Sequence, residues 1–230
     1  ILEKEEGLKA FEVGARYNDL GDLYRNWGKL PQSHECFAKA LEIVGSEPIQ
    51  DLRKLGDVKG NFGVLLSEQG KLKEAESMLR DALQTDKTAV GEQNAQVGAD
   101  HYKLARVLIA DKKYELAQDE LKSSFAILQA TVKPNHLRMA KYWEALAELR
   151  LAQKDFPEAE KAARNVLDIR KEKLKVPHPD IAKALDQLAR VLSAAGRTAD
   201  SASALTEAQS MQSEHARREQ DAQQRIAMGK

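Results

Sequence analysis

Apolar positions in this chain fall at helical spacing, and the same spacing returns along its length. Tyr17, Leu20, Gly21 and Tyr24 stand at i, i+3, i+4 and i+7, one face of an α-helix. The run from Leu20 to Tyr24, followed by Gly28-Lys29-Leu30, comes back 42 residues later as Phe62 to Leu66 followed by Gly70-Lys71-Leu72. Leu104, Leu146 and Leu188 open further copies at the same interval, so one period holds through five units without an insertion. A second pattern keeps step downstream: Phe37 with Ala40, Leu79 with Ala82, Leu121 with Ser124, Ala163 with Val166, and Leu205 with Ala208. Each unit therefore predicts two helices. The small residue at the centre of the first, Gly21, Gly63, Ala105, Ala147 or Ala189, predicts close approach of the second, which answers with Ser33, Ala75, Ala117, Ala159 or Ser201. Between them stand Gly28, Gly70 and Gly196, suited to the left-handed backbone that ends a helix; Lys112 and Lys154 take that place in units three and four, whose turns should be strained. Gly45, Pro48, Gly91, Pro134, Pro177 and Pro179 mark the loops between units.

This pattern resembles the tetratricopeptide repeat, with its succession of aromatic, Leu-Gly, Tyr, Gly, Ala, Phe and Ala. Tyr17, Leu20-Gly21, Tyr24, Gly28, Ser33, Phe37 and Ala40 meet it in the first unit, where only Ser33 departs. Trp143 and Ala159 meet it in the fourth, where Arg150 and Ala163 depart. The unit exceeds the family's usual length of about 34 residues and is similar to the longer variety of kinesin light chains and many bacterial repeat proteins. The connector Val176-Pro177-His178-Pro179-Asp180-Ile181-Ala182 strengthens that similarity, with a degraded copy at Lys133 to His136 and Met139-Ala140. Over residues 7 to 215 the resemblance implies an all-α, right-handed superhelical solenoid of five antiparallel helix-turn-helix hairpins. We expect a single domain over 1–215, with units about 7–48, 49–91, 92–134, 135–177 and 178–215, then a polar helical cap or frayed tail over 216–230. Leu8, Phe11 and Val13 suggest that the first helix begins ahead of the repeat, and Met211 and Ile226 that the last runs past it.

A hairpin of this length cannot bury its apolar stripe alone, so units must stack, and the first helices then line a concave face. Read by phase, that face is polar and mixed in sign, with Asn18, Asp22 and Arg25 in the first unit and Asp57, Asn61, Val64 and Glu68 in the second. Tyr102, Lys103 and Arg106 follow in the third, and Lys183, Asp186 and Arg190 in the fifth. Asn18, Asn61, Tyr102, Lys103, Arg106 and Arg190 are the candidate partner-binding residues: amides hold a peptide backbone, and neighbouring cations receive an acidic or carboxylate-bearing segment. The competing reading is a solvated face whose cations pair with Glu144, Glu148 and Asp186. The family's paired asparagines persist only as Asn18 and Asn61, and the set that clamps a terminal carboxylate in some relatives is not assembled in adjacent units.

Thirty-six basic and 36 acidic residues give a formal net charge of zero, so no global field gathers nucleic acid or an anionic membrane. The single Cys36 makes no internal disulfide, and the five histidines are dispersed, with His136 and His178 at equivalent loop positions that favour a capping role over a metal. Phosphate-binding, dinucleotide-binding and hydrolase motifs are lacking, so the sequence predicts no catalytic residues, metal or cofactor. Trp143 reads as core, Trp27 as packing at the edge of the first hairpin, and apolar runs are too short to cross a bilayer. The function expected is a non-enzymatic, cytoplasmic scaffold that binds a peptide segment or partner protein in the groove of first helices. The alternatives are a module that self-assembles through its ends or C-terminal helix, and the regulatory region of a larger protein.

Overall fold

The computed structural model describes residues 2–46 and 51–227, and every regular element among them is an α-helix. The chain divides into two compact units, Ile1–Thr131 and Val132–Lys230. The first holds α1 (Leu2–Asn26), α2 (Leu30–Val44), α3 (Leu52–Glu68), α4 (Leu72–Val90), α5 (Ala95–Ala110) and α6 (Tyr114–Thr131). The second holds α7 (Leu137–Ala152), α8 (Phe156–Lys173), α9 (Pro179–Ala194) and α10 (Thr198–Ala227). Pro48, read above as a breaker, and residues 228–230 of the expected tail lie outside the described residues.

Successive helices pair as hairpins, α1 with α2 through α9 with α10. The period places the turn at one register position: Gly28, Gly70 and Gly196 have φ of 71°, 76° and 78°, and Lys112 and Lys154 are held in the same left-handed region at 60° and 62°. The expected small contact is made in the first and last hairpins, where Ser33 Oγ donates to the Gly21 carbonyl at 2.7 Å and Ser201 Oγ to that of Ala189 at 2.8 Å. Helix starts follow side-chain chemistry too. His136 Nδ1 accepts from the Arg138 amide at 3.0 Å and His178 Nδ1 from that of Asp180 at 3.1 Å, so the equivalent histidines cap α7 and α9.

In the first unit α2 packs on α3 and α4 on α5, while α1, α3 and α5 lie side by side. Ala40 and Val44 cluster with Leu55 and Val58, and Phe37 stacks on Phe62 at 6.1 Å between centroids. In the second unit α8 packs on α9, with Leu149, Ile181 and Leu185 among its fully buried side chains. Tyr142 rather than Trp143 fills the core of α7; Trp143 is half-buried against the edge of that ring. Trp27 is 61% exposed, with Lys29 Nζ 5.3 Å from its ring.

Candidate functional site

The row of first helices in the first unit carries a chain of polar contacts spaced one repeat plus one residue apart. Asn61 Nδ2 donates to Asn18 Oδ1 at 3.1 Å, and Arg25 reaches Glu68 at 2.8 Å while also binding Asp22 at 2.7 Å. Burial opposes the Arg25 charge, but Asp22 and Glu68 outweigh it and hold its pKa above the ordinary arginine value. Arg25 is thus committed to its neighbours. Arg106 is exposed and Tyr102 half-buried on α5.

Lys103 sits differently. Its Nζ lies 3.0 Å from Asp100 Oδ1, and a Cβ on Gly60 would stand 2.9 Å from that nitrogen. Asp100 is 0% exposed, and Asp86 of α4 beside it is 1% exposed. Asp86 occupies space that only glycine leaves free, because a Cβ on Gly56 of α3 would fall 1.9 Å from its Oδ1. Desolvation first, then the hydrogen-bonding neighbour Asp100 and the charge of Asp57, raise the Asp86 pKa from 3.8 to about 8. Asp86 Oδ2 and Asp100 Oδ2 are buried with no other donor in reach, and a proton on the pair supplies one. Burial works against the Lys103 charge, yet Asp100, with Tyr102 and Asp57, holds its pKa above the usual lysine range. The cation therefore neutralises the interior carboxylates before it faces anything outside.

The second unit repeats the motif with other chemistry. Arg170 of α8 stands at the register position of Asp86, two periods on, and is 2% exposed. Its guanidinium donates to Glu144 Oε1 of α7 at 3.1 Å and to the Asp180 carbonyl at 2.9 Å. Gln187 Nε2 of α9 donates to the Glu144 carbonyl at 3.0 Å, the counterpart of the Asn61–Asn18 bond. Arg190 is exposed on α9, at the register position of Arg106.

The structure thus brings Asn18 and Asn61 together, couples Lys103 to the interior, and leaves Arg106 and Arg190 at matching exposed positions. Sequence reasoning missed Asp86, Asp100 and Arg170. The signal was present in Gly14, Gly56, Gly98, Ala140 and Ala182, a second small-residue series at the 42-residue period.

Tetratricopeptide repeat models match residues 15–43, 57–101, 96–172 and 137–214. The chain belongs to the tetratricopeptide repeat family. Among curated proteins it is 21% identical over 196 residues to Protein KINESIN LIGHT CHAIN-RELATED 2 of Arabidopsis thaliana, a match over 85% of this chain and 29% of that protein's length. Among solved structures, BtubC (BKLC) from P. vanneervenii superposes with a TM-score of 0.70 at 19% identity, over 94% of this chain and 85% of the other. A Podosopora anserina protein of nearly identical TPR-like repeats gives 0.61 at 18% identity, over 90% and 97%. A Rap protein complexed with Competence and Sporulation Factor gives 0.73 at 13% identity, over 85% and 53%. The solved structures share the fold, a tetratricopeptide repeat solenoid. Tetratricopeptide repeats generally mediate protein–protein interaction and are typically non-catalytic. No helix among the described residues is long and apolar enough to cross a membrane.

Proposed function

We propose that the first helices bind an extended peptide segment or partner protein, with Asn18, Asn61, Tyr102, Lys103 and Arg106 as the contacts on the first unit; Arg190, on the second unit, is a candidate contact considered by itself. The observation that carries this reading is the Asn61–Asn18 amide pair. One bond at 3.1 Å joins the two amides and leaves an N–H on Asn18 and a carbonyl on Asn61. That is the donor and acceptor complement of a peptide main chain. Arg106 and Arg190, exposed at the same register position, add forked donors for carboxylates and favour an acidic ligand. The Rap neighbour supports the reading at the level of the fold, since it was solved in complex with Competence and Sporulation Factor.

The test is selection from a displayed library of acidic and neutral peptides on the wild-type chain, followed by fluorescence anisotropy with a selected peptide. Asn61→Ala combined with Arg106→Glu and Arg190→Glu should weaken binding at least about tenfold while helicity is unchanged. Equal affinity for the two proteins would remove the site from this face. Lys103 is left out of the variant because reversing its charge would leave Asp100 unpaired in the interior.

A further inference from the structure

Beneath the candidate groove of the first unit lies a charge cluster that no peptide contact requires. Lys103 of α5 crosses α3 at Gly60, 43 residues away, the separation that also brings Asn61 over Asn18. The two contacts therefore stand in one row. A Cβ on Gly60 would fall 2.9 Å from Lys103 Nζ, so the glycine opens the slot through which the lysine turns inward to Asp100 at 3.0 Å. The lysine side chain stays 16% exposed, whereas that of Asp100 is 0% exposed. Asp86 of α4 completes the cluster, seated in the space that Gly56 leaves and hydrogen-bonded to Asp100.

A carboxylate oxygen only accepts, so a bond between two carboxyl groups requires a proton on one of them. With that proton the pair carries one negative charge, which Lys103 cancels. Without it two negative charges face one cation, and the excess lies under the groove. Desolvation, then Asp100, then Asp57 raise the Asp86 pKa to about 8 against the pull of Lys103, and Asp57 is exposed on the groove-facing phase of α3. A carboxylate brought to this face by a ligand acts in the same sense as Asp57.

Given the peptide-binding reading above, on which this rests, we propose that binding in the first unit is proton-linked: seating an acidic segment in the groove retains the proton shared by Asp86 and Asp100, and ionisation of that pair weakens its hold. Facing Asp86 are Asp57 from α3 and Asp100 and Lys103 from α5, with Tyr102 acting on the lysine. Lys59 of α3 is engaged with Thr85 at 3.3 Å, and His101 of α5 with Glu120 of α6 at 2.6 Å. The sign follows from linkage. A negative ligand disfavours the ionised pair, and the proton must favour the ligand by the same factor. Affinity for an acidic peptide is then constant on the acid side of about pH 7, falls through about pH 8 and levels off once the pair is ionised in the complex too.

The experiment is fluorescence anisotropy with an acidic and a neutral peptide selected from the displayed library, each measured from pH 6 to 9 at fixed ionic strength. Across that range the acidic peptide should lose about fivefold or more in affinity, the lower end of ordinary coupling between two sites, and the neutral peptide should lose none. Asp86→Asn, which keeps a donor toward Asp100 and cannot ionise, should bind the acidic peptide at pH 6 as the wild type does and hold that affinity to pH 9. His101→Gln should keep the wild-type slope. A flat wild-type profile, a slope that survives Asp86→Asn, or one that vanishes in His101→Gln would each overturn the proposal and leave peptide binding standing. Failure of both peptides to bind at any pH would instead remove the peptide-binding reading, and the linkage with it. A second readout does not depend on how well Asp86→Asn folds. In a carbon-13 NMR titration of the aspartate carboxyls, Asp57→Asn, at an exposed position, should lower the midpoint of Asp86, and the acidic peptide should raise it in the wild type. A midpoint that either change leaves in place would overturn the coupling.

Discussion

Asp86 holds a proton in the folded chain that it releases when unfolded, and that asymmetry has a sign. Its pKa is about 8 in the fold against an ordinary 3.8, so between those values the native state binds more protons than the unfolded state. The contribution of this group to stability is therefore fully present below about pH 4, falls as pH rises through the window, and levels off above about pH 8. The slope is at most about 1.4 kcal/mol per pH unit. Asp86→Asn keeps a donor toward Asp100 and removes the titration, so thermal melts from pH 5 to 9 should show a raised Tm at the alkaline end and a flatter profile. A variant that matched the wild type at every pH would place the proton elsewhere. None of this was legible in the sequence around Asp86, where an aspartate between threonine and lysine on a charged helix reads as solvent-facing. Its burial depends on Gly56, 30 positions earlier, whose missing Cβ makes the room. Lys103 was misleading for the same reason: its phase is that of a groove residue, but the partner that captures it, Asp100, is interior.

At the scale of helices and turns, the sequence was a good guide because the repeat supplies five readings of each position. Gly28, Gly70 and Gly196 revealed the turn geometry, and the structure imposes it on Lys112 and Lys154 against their preference. Lys112→Gly and Lys154→Gly should each raise stability by about 0.5–1 kcal/mol in urea denaturation, the relief of a left-handed non-glycine residue. Loss of stability in either would mean that the lysine side chain contributes more than its backbone costs. The capping histidines were legible for a like reason, since two copies in one loop position share one task. Arg170 was not, because in a helix rich in lysine and arginine nothing distinguishes it from its neighbours except register. Arg170→Ala leaves Glu144 with Lys141 at 3.1 Å but without its interior partner, and should cost about 3 kcal/mol. Replacing both, as Arg170→Leu with Glu144→Leu, should recover most of that loss, and a double-mutant cycle with no coupling would refute the pairing.

For the molecule as a whole, the architecture makes energetics local. Stability in a repeat array is a sum of hairpin terms and nearest-neighbour junctions, with no single core to lose. Hydrogen exchange on Arg170→Ala should therefore show lost protection in α7, α8 and α9, while α1 to α4 retain theirs. Uniform loss along the chain would show that the helices unfold as one cooperative unit instead. Family membership fixes the scaffold, and the ligand must still be read from side chains on particular faces.

The seat shared by Val44, Asp86, Leu128, Arg170 and Gln212 has a consequence for how the chain finds its fold. Hairpins of one period can dock out of step, because each offers its neighbours nearly the same apolar outline. A slip by one repeat would set the Asp86 carboxyl away from Asp100, or bury Arg170 without Glu144, and an unsatisfied interior polar group or charge is among the costliest errors a chain can make. The aliphatic seats supply cohesion but accept any partner. The two polar ones accept only their own partner, so they penalise docking out of register.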